Sequence, residues 1–483
     1  MRPDGTELCW LPAWRLRELI VGRELSPAEV TRYFLDRITA LDPGLRCFVT
    51  VAADEALEAA RRLQQRSYFR DPGPLYGVPV SVKDQYWTQG IRTTGGSRLY
   101  RDWVPEEDAC CVRRAREAGA VIIGKTNTPE FALWWRAVNH VAPLPRNPWQ
   151  LGRTAGGSSS GAAASVAAGL TPVAIGSDCA GSIRLPAAFC GVTGLLPTSG
   201  RVPRHGGLGG SLQFTGIGPI TRDARDAALM LTALAGGDSR DPTSLPGHPG
   251  DYQRGLDEGV AGLRCAFWVP ADADGVGQSD GAENVEVAAL AWQAAGVLAV
   301  HGAEVAETTL SLGASRYAEA FRCMNEADRY ALQGREIMAD PARRELLTPY
   351  VAERFVRSAA TPADQYVLAL RTRFEAVREM DAAFQRYDLL LSPTVGFTAP
   401  PEPEDWQARP AGLTSRTYLA NFCGLPAMSV PCGVVGGLPA GLQLMAPAGQ
   451  EVRLLRAARV LEHGLPVAEK PNLDGFYQTV TSS

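Results

Sequence analysis

Gly176-Ser177-Asp178-Cys179-Ala180-Gly181-Ser182-Ile183-Arg184-Leu185-Pro186 is the stretch on which the reading of this chain turns. Upstream of it stands a second serine-bearing run, Gly156-Gly157-Ser158-Ser159-Ser160-Gly161. Both combine glycine, which lets backbone come close to a ligand, with hydroxyls able to attack a carbonyl or pass on a proton. A serine nucleophile needs a base, yet none of the five histidines (His140, His205, His248, His301, His463) adjoins either run. Further upstream, Val78-Pro79-Val80-Ser81-Val82-Lys83-Asp84 makes Lys83 the leading candidate. A lysine can serve as a base only if burial or a neighbouring cation lowers its pKa.

Around these runs the pattern is strand, loop, helix. Short apolar strands are expected at 78–82, 120–123 and 171–175, with helices at 108–117, 160–168 and 223–234. Strands return at 387–393, 428–431 and 441–445. Short buried strands alternating with helices predict an α/β fold, a mixed central β-sheet with helices on both faces. Before it, Ser26-Pro27-Ala28-Glu29 reads as a capping box with proline at the first helical position. The helix it opens carries Val30, Tyr33, Phe34, Ile38 and Leu41 on one stripe and is expected to end at Asp42-Pro43-Gly44. With a second helix at 52–65, residues 1–70 are expected to form an N-terminal helical layer. Asp71-Pro72-Gly73-Pro74 then leads into the main domain, 71–465, followed by a tail at 466–483. Within that domain, 305–385 is helical and charge-mixed and carries no short motif.

Composition bounds the function. A hydrophobic content of 45%, a charged content of 21% and a net charge of −4 are ordinary for a globular chain and leave no basic footprint. The expected partner is therefore a small molecule, not nucleic acid, with the chain acting as monomer or homodimer. Ten cysteines without a C-x-x-C pair argue against a disulfide framework and against a zinc site. No continuous apolar stretch suggests a leader or a membrane span, so a cytoplasmic location is expected, with no membrane partner. Neither a ligand cluster nor a phosphate loop is present, so no metal and no organic cofactor is expected.

The motifs are recognisable. GSDCAGSIRLPA resembles the pattern GTDxGGSIRxPA, and GGSSSG, introduced by Arg146-Asn147-Pro148-Trp149, resembles GGSSGG. GVPVSVKD, Gly124-Lys125-Thr126-Asn127 and the late run Gly437-Leu438-Pro439-Ala440-Gly441-Leu442-Gln443 follow in the matching order. Over about 16–462 the chain resembles the amidase signature family of Ser-cisSer-Lys hydrolases. The resemblance implies the amidase signature fold, with Ser182 as nucleophile and Ser158, on a cis peptide bond, bridging it to Lys83. It implies an oxyanion hole from the backbone N–H groups of Cys179, Ala180, Gly181 and Ser182, with Ser159 supporting the lysine. Asp178 and Arg184 would bracket the loop, chiefly as a structural pair. Phe131, Leu133, Trp134 and Trp135 would line the substrate channel with Phe214 and Thr215, although the tryptophans fit core packing equally well. Residues 305–385 would cover the site and set substrate choice.

The implied reaction is hydrolysis of a carboxamide C–N bond through a serine acyl-enzyme. Apolar or aromatic amides (anilides, cyclic amides) are the expected substrates, with esters and carbamates open to the same chemistry. Two alternatives stand beside it: the glutamine-amidase subunit of an aminoacyl-tRNA amidotransferase, and a non-catalytic binding protein on the same fold. Ala180 departs from the usual glycine, resembling the branch with cyclic-dimer hydrolases of nylon oligomers. A positive φ there would cost about 1–2 kcal/mol. Cys179 lacks a nearby histidine or second cysteine and reads as an inert small residue. Gly157-Ser158-Ser159-Ser160-Gly161 formally matches G-x-S-x-G, but loop rather than strand precedes it.

Overall fold

The computed structural model describes residues 7–65, 72–268, 285–308, 315–405, 407–410, 412–466 and 470–473; most of the expected tail at 466–483 falls outside them. Eleven strands form one sheet: β1 (Phe48–Val51), β2 (Pro79–Lys83), β3 (Val121–Thr126), β4 (Val173–Asp178), β5 (Thr193–Leu196), β6 (Gly216–Thr221), β7 (Arg264–Trp268), β8 (Glu304–Thr308), β9 (Leu389–Pro393), β10 (Ala427–Val435) and β11 (Leu438–Met445). Their order across the sheet is β1-β3-β2-β4-β6-β5-β10-β11-β9-β7-β8. The sheet is mixed: β3, β2 and β4 run parallel, as do β9, β7 and β8, and the strands between them pair antiparallel.

Strand alternation places Lys83. Val80 and Val82 enter a core with Ile122, Val173 and Ile175, closed by helices Ala224–Leu234, Val285–Val300 and Glu451–Gly464. With a side-chain period of two, Lys83 then faces the other side at the carboxyl end of β2. That side is packed by Val121, Ile123 and Ala174 against helices Pro27–Leu45 and Ser160–Ala167. The second of these is made of small residues, every one buried. A Cβ added at Gly161 would come within 2.2 Å of Cys47 O and 2.5 Å of Asn127 N, so the contact admits nothing larger than glycine.

Several elements differ from expectation. Residues 1–70 also carry β1, which pairs antiparallel with β3 and joins this stretch to the sheet. The capping box at Ser26 and Glu29 is present, but the helix continues through Pro43 to Leu45. β6 contains Pro219, which argues against a strand; it is tolerated because β5 pairs only with Thr221 and Ile220 and leaves that position free. In the 305–385 region residues 305–308 belong to edge strand β8, and 315–385 is mostly helical. There Tyr317, Phe321 and Met324 of helix Ser315–Arg329 are buried in one apolar cluster with Cys179, Phe214 and Phe422.

A buried acidic group ties the Ala224–Leu234 helix to its neighbours. Asp226 accepts from Ala13 N (2.7 Å) and Trp14 N (2.8 Å), and Glu462 Oε1 accepts from Ala224 N (2.5 Å). Burial, then Asp223, lifts the Glu462 carboxyl to about 8. A carboxyl whose folded pKa exceeds its unfolded value favours folding below the unfolded value and loses that contribution as pH rises through the folded one. Urea midpoints should therefore fall between pH 5 and pH 8.5, and Glu462→Gln should flatten that fall. An unchanged slope in the variant would remove Glu462 as its source.

Candidate active site

Lys83 has no exposed surface and lies among three hydroxyls: Nζ is 2.6 Å from Ser158 Oγ, 2.8 Å from Ser177 Oγ and 3.1 Å from Ser159 Oγ. Among the described residues no carboxylate is bonded to it. Burial holds its pKa well below the usual lysine value; Asp178 opposes that shift and the guanidinium of Arg329 adds to it. Ser158 follows a cis peptide bond from Gly157. Ser177 donates to Gln85 Oε1 (2.7 Å), and Gln85 Nε2 donates to Gly209 O (3.0 Å), which fixes the hydroxyl that faces the amine. Sequence reasoning misses both Ser177 and Gln85, although a serine inside a fully buried strand is itself a signal of a polar partner.

Lys125, from the Gly124-Lys125-Thr126-Asn127 run, is a second buried lysine with a different setting. It donates to Tyr86 O, Thr88 Oγ1 and Thr93 Oγ1 and lies 3.9 Å from Asp84 Oδ1. Burial brings it down to about 8. These contacts brace the chain just beyond Lys83.

The Ser182 loop is built around Asp178 and Arg184, both without exposed surface in their side chains. Asp178 accepts from Arg184 Nε and Nη2 (3.0 Å each), Gly181 N (2.7 Å) and Ile183 N (3.0 Å). Arg184 also donates to Gln443 Oε1 (2.8 Å) and Asn421 Oδ1 (2.7 Å). Gly181 takes φ +118°, and a Cβ there would fall 2.5 Å from Thr417 Oγ1, which itself donates to Ala180 O (2.6 Å). Ala180 is not among the residues with positive φ, so its Cβ carries no backbone strain. Since Gly181 N is already given to Asp178, the loop amides without an acceptor among the described residues are those of Cys179, Ala180 and Ser182.

Ser182 is half-buried, and among the described residues its hydroxyl makes no hydrogen bond. Its loop meets the serine run through Ser159 N, which donates to Ser182 O (3.1 Å). Cys179 Sγ donates to Asn325 Oδ1 (3.3 Å) on helix Ser315–Arg329.

The aromatic stretch is mostly packed core. Phe131 and Leu133 lie with Ile337, Tyr350, Val351 and Phe355, whereas Trp135 lies with Leu185, Phe189 and Leu413. Trp134 is half-buried between those two clusters. Phe214 is nearer the chemistry, sharing a cluster with Cys179 and packing on Phe321 at 4.9 Å. Thr215 Oγ1 accepts from Ser211 N (2.9 Å). Among the described residues, no group of three His, Cys, Asp or Glu side chains could hold a metal ion, and no helix is long and apolar enough to cross a membrane.

The family model described as Amidase matches residues 29–455. The chain belongs to the amidase family. Its fold is the amidase signature fold, and it is an enzyme of the class acting on amide C–N bonds. Among curated relatives, one subunit of the glutamyl-tRNA(Gln) amidotransferase of Moorella thermoacetica is 40% identical over 94% of this chain and 97% of that one. Among solved structures, a bacterial aryl acylamidase of the amidase signature family is 30% identical, with a TM-score of 0.86 over 97% of this chain and 98% of that one. The 6-aminohexanoate cyclic dimer hydrolase, solved with its substrate, is 30% identical with a TM-score of 0.84 over 97% of this chain and 100% of the other.

The first of these overturns one expectation. A small-molecule substrate without nucleic acid, handled by a monomer or homodimer, does not fit a chain so similar to part of a tRNA amidotransferase. The net charge of one polypeptide is a poor guide here, because it does not report what an assembly recognises.

Removing one partner of the buried pair at the loop should be costly. Asp178→Ala leaves Arg184 charged and uncompensated, and an expected loss of about 3–5 kcal/mol follows; equilibrium urea unfolding measures it. A loss below about 1 kcal/mol would mean that the pair does not hold the loop.

Proposed function

We propose that this chain hydrolyses the side-chain carboxamide of glutamine through an acyl-enzyme at Ser182, as the amidase component of an aminoacyl-tRNA amidotransferase. The observation that carries the reading is the 40% identity, over nearly the whole of both chains, to a protein that is part of such an amidotransferase. The buried contact of Lys83 with Ser158 supports the chemistry.

In this mechanism Lys83 works as the neutral amine. Its two N–H bonds go to Ser159 and Ser177, and its lone pair takes the proton of Ser158. Ser158 in turn takes the proton of Ser182 as Ser182 Oγ attacks the amide carbon. The amides of Cys179, Ala180 and Ser182 receive the negative oxygen; they are preorganised because Asp178 and Arg184 hold the loop before substrate arrives. Collapse expels ammonia with a proton returned along Lys83 and Ser158. Water then attacks the ester by the reverse path and releases glutamate and free Ser182. All ten cysteines are free thiols, which supports a cytoplasmic location.

A second reading keeps an aryl amide as substrate. It rests on the aryl acylamidase structure and on the ring cluster of Phe214, Phe321, Tyr418 and Phe422 beside Cys179. Ammonia release from glutamine, set against nitroaniline release from an acylated nitroaniline, separates the two. Anilide turnover without glutamine turnover would replace the first reading by the second.

Ser182→Ala should lose fluorophosphonate labelling and roughly a thousandfold or more in kcat. Labelling at Ser159 or Cys179 instead would move the nucleophile. For the wild type, kcat/KM should climb with pH through the lowered pKa of Lys83 and then level off, since only the neutral amine accepts the proton. A profile that falls with pH over that range contradicts a lysine base.

A further inference from the structure

Arg329 closes the covering helix Ser315–Arg329 and is 6% exposed. Nε donates to Asn325 Oδ1 (2.9 Å) and Nη1 to Phe131 O (3.2 Å); Nη2 makes no hydrogen bond among the described residues. None of their carboxylates pairs with it either. Asp328, its chain neighbour, accepts from Ser211 Oγ (2.6 Å) and Tyr366 Oη (3.0 Å). Glu326 is taken by Arg354 and Arg357, each at 3.4 Å. Arg354 is itself held to the same turn as Arg329, donating to Leu133 O (3.1 Å).

Two of these three guanidiniums thus share one carboxylate, and the third and most buried, Arg329, pairs with none among the described residues. A guanidinium withdrawn from water without an anion is strongly disfavoured, and buried charges are ordinarily paired. The location is informative. Asn325, which accepts from Arg329, also accepts from Cys179 of the Ser182 loop, and the Arg329 charge is felt at Lys83. The free edge of a planar fork, linked through Asn325 to Cys179 of the Ser182 loop, matches the geometry of a carboxylate.

We propose that Arg329 binds a carboxylate of the substrate, so that the site selects amides ending in an anion over neutral amides of the same length. This rests on the amide-hydrolase reading above but not on glutamine being the amide. Helix Ser315–Arg329 supplies the charge, and Phe214 and Phe321, which share an apolar cluster with Cys179, offer the surface for the methylene chain.

The test pairs glutaramate with pentanamide, which has the same chain length and no carboxylate. The wild type should prefer glutaramate in kcat/KM by roughly tenfold or more. Arg329→Gln should bring that ratio close to one, and Arg329→Lys, a point charge without the fork, should keep only part of it. In parallel, glutarate should protect Ser182 from fluorophosphonate in the wild type and fail to do so in Arg329→Gln. Equal rates on the two amides in the wild type, or an unchanged ratio in either variant, overturns the assignment. If Arg329→Gln does not melt cooperatively, Arg329→Lys decides. If neither amide is turned over, protection of the wild type by glutarate decides, and its absence overturns the assignment. Should glutamine fail while glutaramate still outruns pentanamide, the glutamine reading falls and Arg329 keeps its role.

Discussion

A lysine with no exposed surface and no bonded carboxylate among the described residues is the constraint around which this molecule is arranged. Charged, Lys83 would donate to Ser158, Ser159 and Ser177 and would bear the full cost of burial; neutral, it keeps two of those bonds and gains an acceptor site facing Ser158. The hydroxyl cage suits both states, which is what a proton relay needs. A carboxylate in place of any of these serines would hold the amine protonated and remove the base that the proposed mechanism requires.

Keeping carboxylates away from Lys83 falls to the rest of the loop. Asp178 is the charged group that most opposes the lowered pKa, and it is turned aside by Arg184 and by the amides of Gly181 and Ile183. Arg184 reaches in turn to Gln443 on β11 and to Asn421 on helix Tyr418–Cys423, so elements late in the chain stabilise a loop that lies in its middle. The same pairing that lowers Asp178 below the usual carboxylate range, against its burial, also shapes the turn in which Ala180 sits without strain.

Much of this is legible in the residues. Glycine-flanked serines, a lone lysine at a strand end and the absence of a nearby histidine point to the chemistry before any coordinates. The central strands are legible as well, because β2, β3 and β4 are buried along their whole length and each opens on apolar residues. What cannot be read depends on distant pairing. β6 hides behind Pro219, β8 is an exposed edge with no alternation, and Gln85 and Arg329 acquire meaning only beside Ser177 and Asn325. Trp134 and Trp135 stay open in the sequence because an aromatic pair near a site has the same composition whether it lines the site or packs beneath it.

The turn after β3 links the covering helices to the serines. Phe131 and Ala132 take positive φ, and the cover grips this segment through Arg329 on Phe131 O, Arg354 on Leu133 O, Thr348 on Glu130 and Tyr350 on Val138 O. On its other side, the carbonyl of Trp135 lies so near Gly157 that an added Cβ would sit 2.8 Å from it. The cover is therefore not an independent module. Chimeras that exchange 315–358 between members of this family carry a coherent site only when 130–138 travels with them, since that segment is the socket into which the cover is keyed.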